Sequence, residues 1–288
     1  MNRSFAPSAP SAPVAAAAGP NSPGRETGRE TPWLRLWRAD PRLMAFALVF
    51  LAFMLPAAVA LGVDERLLRG VNVWVKPLKF MAALALLALT TVWFAQYLPA
   101  AVRQGRAYRA LVWTLMLTGG FEVGYISLQA ALGQASHYNV GDALHGLMYT
   151  LMGLAALALT ATQAVLAWLL WRHGDRTLAP AYRLAAVLGL ALSFVLGAGA
   201  GALLGGLQPP TGAGLPVLGW STTGGDLRVA HFIGLHAGQV LPVIGAVLAA
   251  VAASRVAVAG VWLAASAWTL LWAVALARAL AGLPLLGL

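Results

Sequence analysis

Cysteine is absent from this 288-residue chain, which excludes disulfides, thiolate nucleophiles and any zinc or iron–sulfur site built on sulfur ligands. Charge is scarce as well. Asp, Glu, Lys and Arg make up 10% of the residues, against roughly 25% in a soluble domain that must wet its whole surface. Lysine is the rarest base: two, at 76 and 79, stand beside 17 arginines. No stretch between residue 43 and residue 277 reads as a soluble domain.

What is present is apolar. Hydrophobic residues reach 60% and the mean hydropathy is +0.77. Faces turned away from a core must then be apolar too, and the solvent that suits them is lipid. The net charge of +10 would suit nucleic acid. The arginines, however, fall mostly beside helix ends, where they serve topology and anionic headgroups. The expected partner is the lipid bilayer, with no nucleic acid.

Residues 1–31 are rich in Pro, Ala, Ser and Gly and offer no apolar face, so a disordered tail is expected there. The apolar run 14–18 is too short for a cleaved secretory signal. Residues 32–288 carry seven apolar stretches, each near the roughly 20 residues that cross a bilayer core. They run over 43–61, 80–98, 110–128, 143–170, 184–204, 229–253 and 256–277. The fold class expected is all-α: a polytopic membrane bundle of about seven helices. The connection 62–75 is mixed in character and would suit an amphipathic segment along the interface.

Orientation follows the basic residues. Arg25, Arg29, Arg35, Arg38 and Arg42 precede span 1, Arg103, Arg106 and Arg109 follow span 2, and Arg172, Arg176 and Arg183 follow span 4. That alternation puts the N-terminus in the cytoplasm and the C-terminus outside, in a bacterial inner membrane. Arg66, Arg69, Lys76 and Lys79 break the rule on the outer side and need another reason. In span 5, Gly189, Gly197, Gly199, Gly201, Gly205 and Gly206 read as close helix packing rather than as a phosphate loop.

Polar residues inside lipid are costly, so their placement carries the functional information. At about 100° per residue, Thr118, Glu122, Tyr125 and Gln129 form one stripe on span 3. Asp142, His145, Tyr149 and Met152 form another on span 4, with Gln163 further down. Arg228, His231, His236 and Gln239 fit one broad arc on span 6. Depths match as well, since Glu122, Tyr149 and His236 lie about 9–10 Å below the outer ends of these spans at 1.5 Å per residue. One outward-facing polar chamber would collect all three stripes.

Individual residues admit two readings each. Lys76 and Lys79 either snorkel to headgroups or supply a compact ammonium that Arg would not replace. Asp142 and Asp226 precede helical stretches and suit N-caps. Glu122 either glues helices through Arg228, Lys79 or a histidine, or belongs to a site; intramembrane ionisable groups favour the second.

Three chemistries fit such a chamber. The first is binding, with possible transport, of a small anionic or polar ligand by Lys76, Lys79, Glu122, Tyr125, Gln129, Tyr149, Arg228, His231 and Gln239. The second is a metal-dependent membrane enzyme in which His145, His236 and Glu122 hold zinc around an activated water. His231 and His236 are five apart and so do not form the i, i+4 ligand pair. The third is haem or another redox cofactor held by axial histidines.

The stretches 74–80, 122–129, 136–139 and 226–239 resemble those of uncharacterised bacterial multi-spanning membrane proteins. That resemblance covers spans 2–4 and 6 and implies a polytopic bundle, while no activity carries over from it. The seven-helix zinc hydrolases are not similar, for want of their His-x-x-x-His pair. Retinal proteins differ too, because the last span has no lysine for a Schiff base.

Overall fold

The computed structural model describes residues 31–210, 214–215 and 218–285. The expected tail, apart from Thr31, lies outside the described residues. Among the described residues seven helical spans are long and apolar enough to cross a membrane, so the protein is an all-α polytopic bundle.

A short helix α1 (Pro32–Ala39) leads into α2 (Pro41–Val63). The junction is set locally. Asp40 is extended, its carboxylate accepts the backbone N–H groups of Arg42 and Leu43, and Pro41 occupies the first helical position, where no N–H is needed. A hairpin of two-residue strands, β1 (Leu67–Leu68) and β2 (Val71–Asn72), connects α2 to α3 (Val75–Ala95). The connection expected to be amphipathic is thus a hairpin in its centre. Arg69 (φ 55°) and Gly70 (φ 79°) both adopt left-handed backbone, as a two-residue turn of the I′ kind requires.

The helices α4 (Ala100–Gln104), α5 (Arg106–Ala131), α6 (Ala143–His173) and α7 (Pro180–Gly206) follow. The sixth span is a correction. Instead of one continuous helix it comprises α8 (Leu227–Leu235) and α9 (Ala237–Val251), with His236 at the break. Then α10 (Ser254–Leu280) completes the bundle. The ends of the spans fall on two sides. Here the hairpin side is the one bearing β1–β2, and the arginine side bears Arg103, Arg106, Arg172, Arg176 and Arg183.

The helices pack in two groups. α2, α3 and α5 enclose the largest apolar core, around Leu43, Met44, Leu84, Leu115 and Leu166. α7 packs with α8, α9 and α10, while α6 contacts both α5 and α7 and joins the groups.

The second group approaches backbone to backbone. A methyl placed on Gly234 would sit 2.5 Å from the Gly197 nitrogen, and one on Gly245 would sit 2.4 Å from Ala185 Cβ. Gly189 and Gly201 also face α8–α9 closely, whereas Gly199, Gly205 and Gly206 meet nothing within 4 Å. Small residues thus do the work expected of them in membranes, at Gly189, Gly197 and Gly201, spaced eight and four residues apart on one face of α7.

The break at His236 frees backbone groups at membrane depth, where hydrocarbon offers no substitute. Ser193 of α7 satisfies two of them. Its Oγ donates to the Leu235 carbonyl (2.9 Å) and accepts the Gly238 N–H (2.7 Å).

Candidate functional site

The site is built on the hairpin side of the first group. Asp64 organises the hairpin: its carboxylate accepts Arg66 Nη2 (2.7 Å), Arg66 Nε (2.9 Å) and Trp74 Nε1 (2.8 Å). Those donors, Arg66 foremost, hold the Asp64 carboxyl well below the usual carboxylate range. Arg66 also donates to the Ala131 carbonyl at 3.1 Å, tying the hairpin to the end of α5. With Trp74 fixed, the first turn of α3 presents Lys76, Lys79 and Phe80.

Lys76 reaches across to the connection between α5 and α6, where its Nζ donates to Ser136 Oγ (2.8 Å) and lies 5.8 Å from the Phe80 ring centroid. Ser136 Oγ in turn meets His137 Nδ1 at 3.2 Å. Burial, together with the neighbouring Lys76 ammonium, lowers the His137 imidazole from 6.5 to about 3. The His137 ring packs edge-on against Phe80 (6.2 Å) and beside Tyr149 (5.8 Å). Tyr138, left-handed at φ 56°, sits 5.3 Å from Tyr149 and donates its hydroxyl to the Leu204 carbonyl of α7. Tyr149 donates to the Gly205 carbonyl at 2.7 Å. Residues 136–138 therefore form a plug spanning α3, α6 and α7.

Glu122 lies nine residues in from the end of α5, about 13 Å along the helix. It is 2% exposed, and Oε1 has no hydrogen-bond partner among the described residues. Lys76 and Glu122 are within each other's electrostatic reach without touching as an ion pair. None of Arg228, Lys79 or a histidine, the partners expected from the sequence, pairs with Glu122 among the described residues. Two turns on, Gln129 Nε2 donates to the Tyr125 hydroxyl (2.7 Å), and Gln129 Oε1 is another buried atom without a partner. Tyr125 packs with Ile126, Met152, Phe80 and Phe121.

Glu122 and Gln129 are both buried, 2% and 3% exposed. The stripes of α5 and α6 do meet, at Tyr125 and Met152 with Phe80 of α3 beside them. The third expected stripe, on α8–α9, does not join them as a set, because His231 turns to α7 and His236 is exposed.

Lys79 and Arg228 form a neighbouring pair. Arg228 is held by Asp226 through Nε (2.9 Å) and Nη2 (2.6 Å), and Nη2 also donates to the Gly219 carbonyl (2.6 Å). Lys79 Nζ donates to the Leu218 carbonyl at 3.0 Å. Both cations lie within 4.0 Å of the point where a Gly219 side chain would begin. Among the described residues, Arg69, Lys76 and Lys79 reach no carboxylate at ion-pair distance, because Asp64, Asp142 and Asp226 are engaged by Arg66, His145 and Arg228. On this side, among the described residues, Arg69, Lys76 and Lys79 stand without an ion pair, as do the acids Glu65 and Glu122.

The remaining candidates stand apart. His231 turns into α7, where its Nδ1 donates to the Gly197 carbonyl at 2.8 Å. Since a carbonyl only accepts, that nitrogen carries the proton. Gln239 donates weakly to Thr90 Oγ1 of α3 (3.3 Å), with Oε1 buried and unpartnered. His145 meets Asp142 Oδ2 through Nδ1 (2.6 Å) and Gln134 Oε1 through Nε2 (3.1 Å), so neither ring nitrogen has a lone pair aimed elsewhere. His236 is exposed at the helix break and stacks on Phe232 at 6.3 Å. The zinc set His145, His236 and Glu122 does not assemble: among the described residues no three His, Cys, Asp or Glu side chains group to hold a metal.

Asp142 and Asp226 do cap α6 and α8, accepting the N–H groups of His145 and Arg228. Two participants carry no sequence signal. Ser136 is one of several loop hydroxyls until Lys76 is seen to reach it, and Ser193 is a lone polar residue in an apolar run. Comparison with protein-family models, curated proteins and solved structures finds no match to the chain.

Proposed function

We propose that this integral membrane protein binds a small anionic ligand on its hairpin side and exchanges a proton through Glu122, as the recognition step of proton-linked transport. The single observation that carries the reading is Glu122 itself. A buried carboxyl with one oxygen lacking any donor, beside an ammonium that stops short of it, is poorly arranged as structural glue. It suits a group that gains and loses a proton. The cations Arg69, Lys76 and Lys79, none of which is held in an ion pair among the described residues, supply the attraction for the anion. The chain Glu122, Lys76, Ser136, His137 leads from the buried carboxyl to the loop, and the plug at 136–138 must yield for a ligand to reach Lys76.

The arginine distribution supports a location in a bacterial inner membrane, N-terminus in the cytoplasm, C-terminus and hairpin side outside. The full chain, reconstituted in liposomes with a trapped pH dye, tests the proposal. Acetate, succinate and inorganic phosphate are offered in turn on the hairpin side. Addition of at least one anion is expected to move protons in wild type, and Glu122→Gln is expected to stop that movement. Equal proton movement in wild type and Glu122→Gln would overturn the reading. So would silence to all three anions combined with unaltered anion binding in Lys76→Met.

A further inference from the structure

A cleft of about 270 Å³ opens between α6 and α7 on the arginine side, far from the hairpin. Ala167, Trp168 and Trp171 line one wall, with Val187, Ala191 and Phe194 on the other. Its shape follows from the sequence. Alanines on both helices leave a furrow that the tryptophans and Phe194 flank without filling. The volume falls just below the roughly 300–1,000 Å³ usual for small-molecule sites, and the lining is almost wholly apolar. A narrow apolar chain fits it better than a polar metabolite.

The mouth of the cleft is basic. Arg183 lies on the same stripe of α7 as Val187, Ala191 and Phe194, at i, i+4, i+8 and i+11. Its Nη2 donates to the carbonyl of Trp171, a lining residue, at 3.0 Å, which ties the guanidinium to that end of the cleft. That bond uses one of five N–H groups. Arg172 follows Trp171 directly, and Arg176 sits in the same connection; both are exposed. The acid of this connection, Asp175, is turned to its own chain, accepting the Thr177 N–H and hydroxyl at 2.8 Å each. Trp168 and Trp171 are 49% and 60% exposed, and their place at the end of α6 is the interfacial level where indole rings settle.

We infer that the α6–α7 cleft is a binding site for one acidic phospholipid, with an acyl chain in the furrow and the headgroup phosphate on Arg172, Arg176 and Arg183. A zwitterionic lipid would fill the furrow equally but would gain less at the mouth, since three arginines face one already-engaged acid. Each basic residue near the membrane surface is worth about fivefold in affinity for an anionic lipid. The inference involves neither Glu122 nor the hairpin side, so it stands or falls independently of the transport reading.

The experiment is native mass spectrometry of the full chain released from nanodiscs of equal phosphatidylglycerol and phosphatidylcholine. Wild type is expected to retain one phosphatidylglycerol per chain, at least tenfold over phosphatidylcholine. Arg172→Gln/Arg176→Gln/Arg183→Gln, which changes only the mouth, is expected to bring that ratio to near parity. Ala191→Phe, which fills the furrow, is expected to lose the retained lipid with the arginines intact; an unchanged elution volume and helicity shows that the variant folds. Retention at parity in wild type overturns the inference, as does an unchanged ratio in the triple variant. A second copy of the chain occupying the cleft would appear as a dimer without lipid and would equally overturn it.

Discussion

The two groups of helices differ in how fully they satisfy their polar side chains. In α7–α9 most are consumed by the fold: Ser193 closes the gap at the broken helix, His231 pins α8 to the Gly197 carbonyl, and glycines bring backbones together, with Gln239 Oε1 the exception, buried without a partner among the described residues. Among α3, α5 and α6 they are left wanting, with Glu122 Oε1, Gln129 Oε1 and Ser127 Oγ buried and without partners among the described residues. An unsatisfied buried polar atom costs about 1–3 kcal/mol. Evolution tolerates that cost where the atom has a task. The contrast separates residues of similar type into scaffold and site.

The contrast is most sharply strained at the glycine interface. Gly234→Ala should destabilise the protein by about 3 kcal/mol, because the clash is with backbone that cannot rotate away. Unfolding in mixed detergent micelles measures it, and a cost near zero would mean that the helices are not closely apposed. Ser193→Ala comes next, at about 1–3 kcal/mol in the same assay, since it strands the Leu235 carbonyl and the Gly238 N–H together.

In the other group the sign should reverse. Glu122→Gln should leave stability unchanged or raise it by up to about 1 kcal/mol, because it replaces a buried, incompletely paired carboxyl with a neutral amide. A loss as large as that of Ser193→Ala would make Glu122 scaffold after all.

The smallest effect concerns the plug. Free imidazole titrates near 6.5 and docked His137 near 3, so the released loop takes up a proton more readily than the docked one. Docking is therefore fully stable above about pH 6.5 and weakens as pH falls toward 3. Protection of the amides across 132–142, taken relative to the intrinsic exchange rate at each pH, should fall on acidification, and His137→Asn should remove most of that dependence. Protection that is flat with pH in wild type would contradict the role assigned to burial and Lys76.

Much of this division was visible in the residue order, and the reasons differ by element. The spans follow from length and hydropathy, which lipid enforces without reference to neighbours. The stripe Glu122, Tyr125, Gln129 follows from helical periodicity and does face α3 and α6. Periodicity cannot say which of two facing helices a side chain meets, so His231 and His145, on the expected arcs, serve α7 and a helix cap. Nor could it show the break at His236. That break depends on Ser193, from a different span, meeting freed backbone groups. The hairpin was legible only in hindsight, through Arg69-Gly70 in a stretch whose mixed polarity suited an interfacial helix equally.

The central claim is that Glu122 is a proton-exchanging group, and infrared difference spectroscopy of the protein in lipid addresses it directly. Titrating wild type, or adding the anion that moves protons, should reveal a protonated-carboxyl C=O stretching band that Glu122→Gln lacks. A band that persists in Glu122→Gln, or none that responds in wild type, would contradict the account.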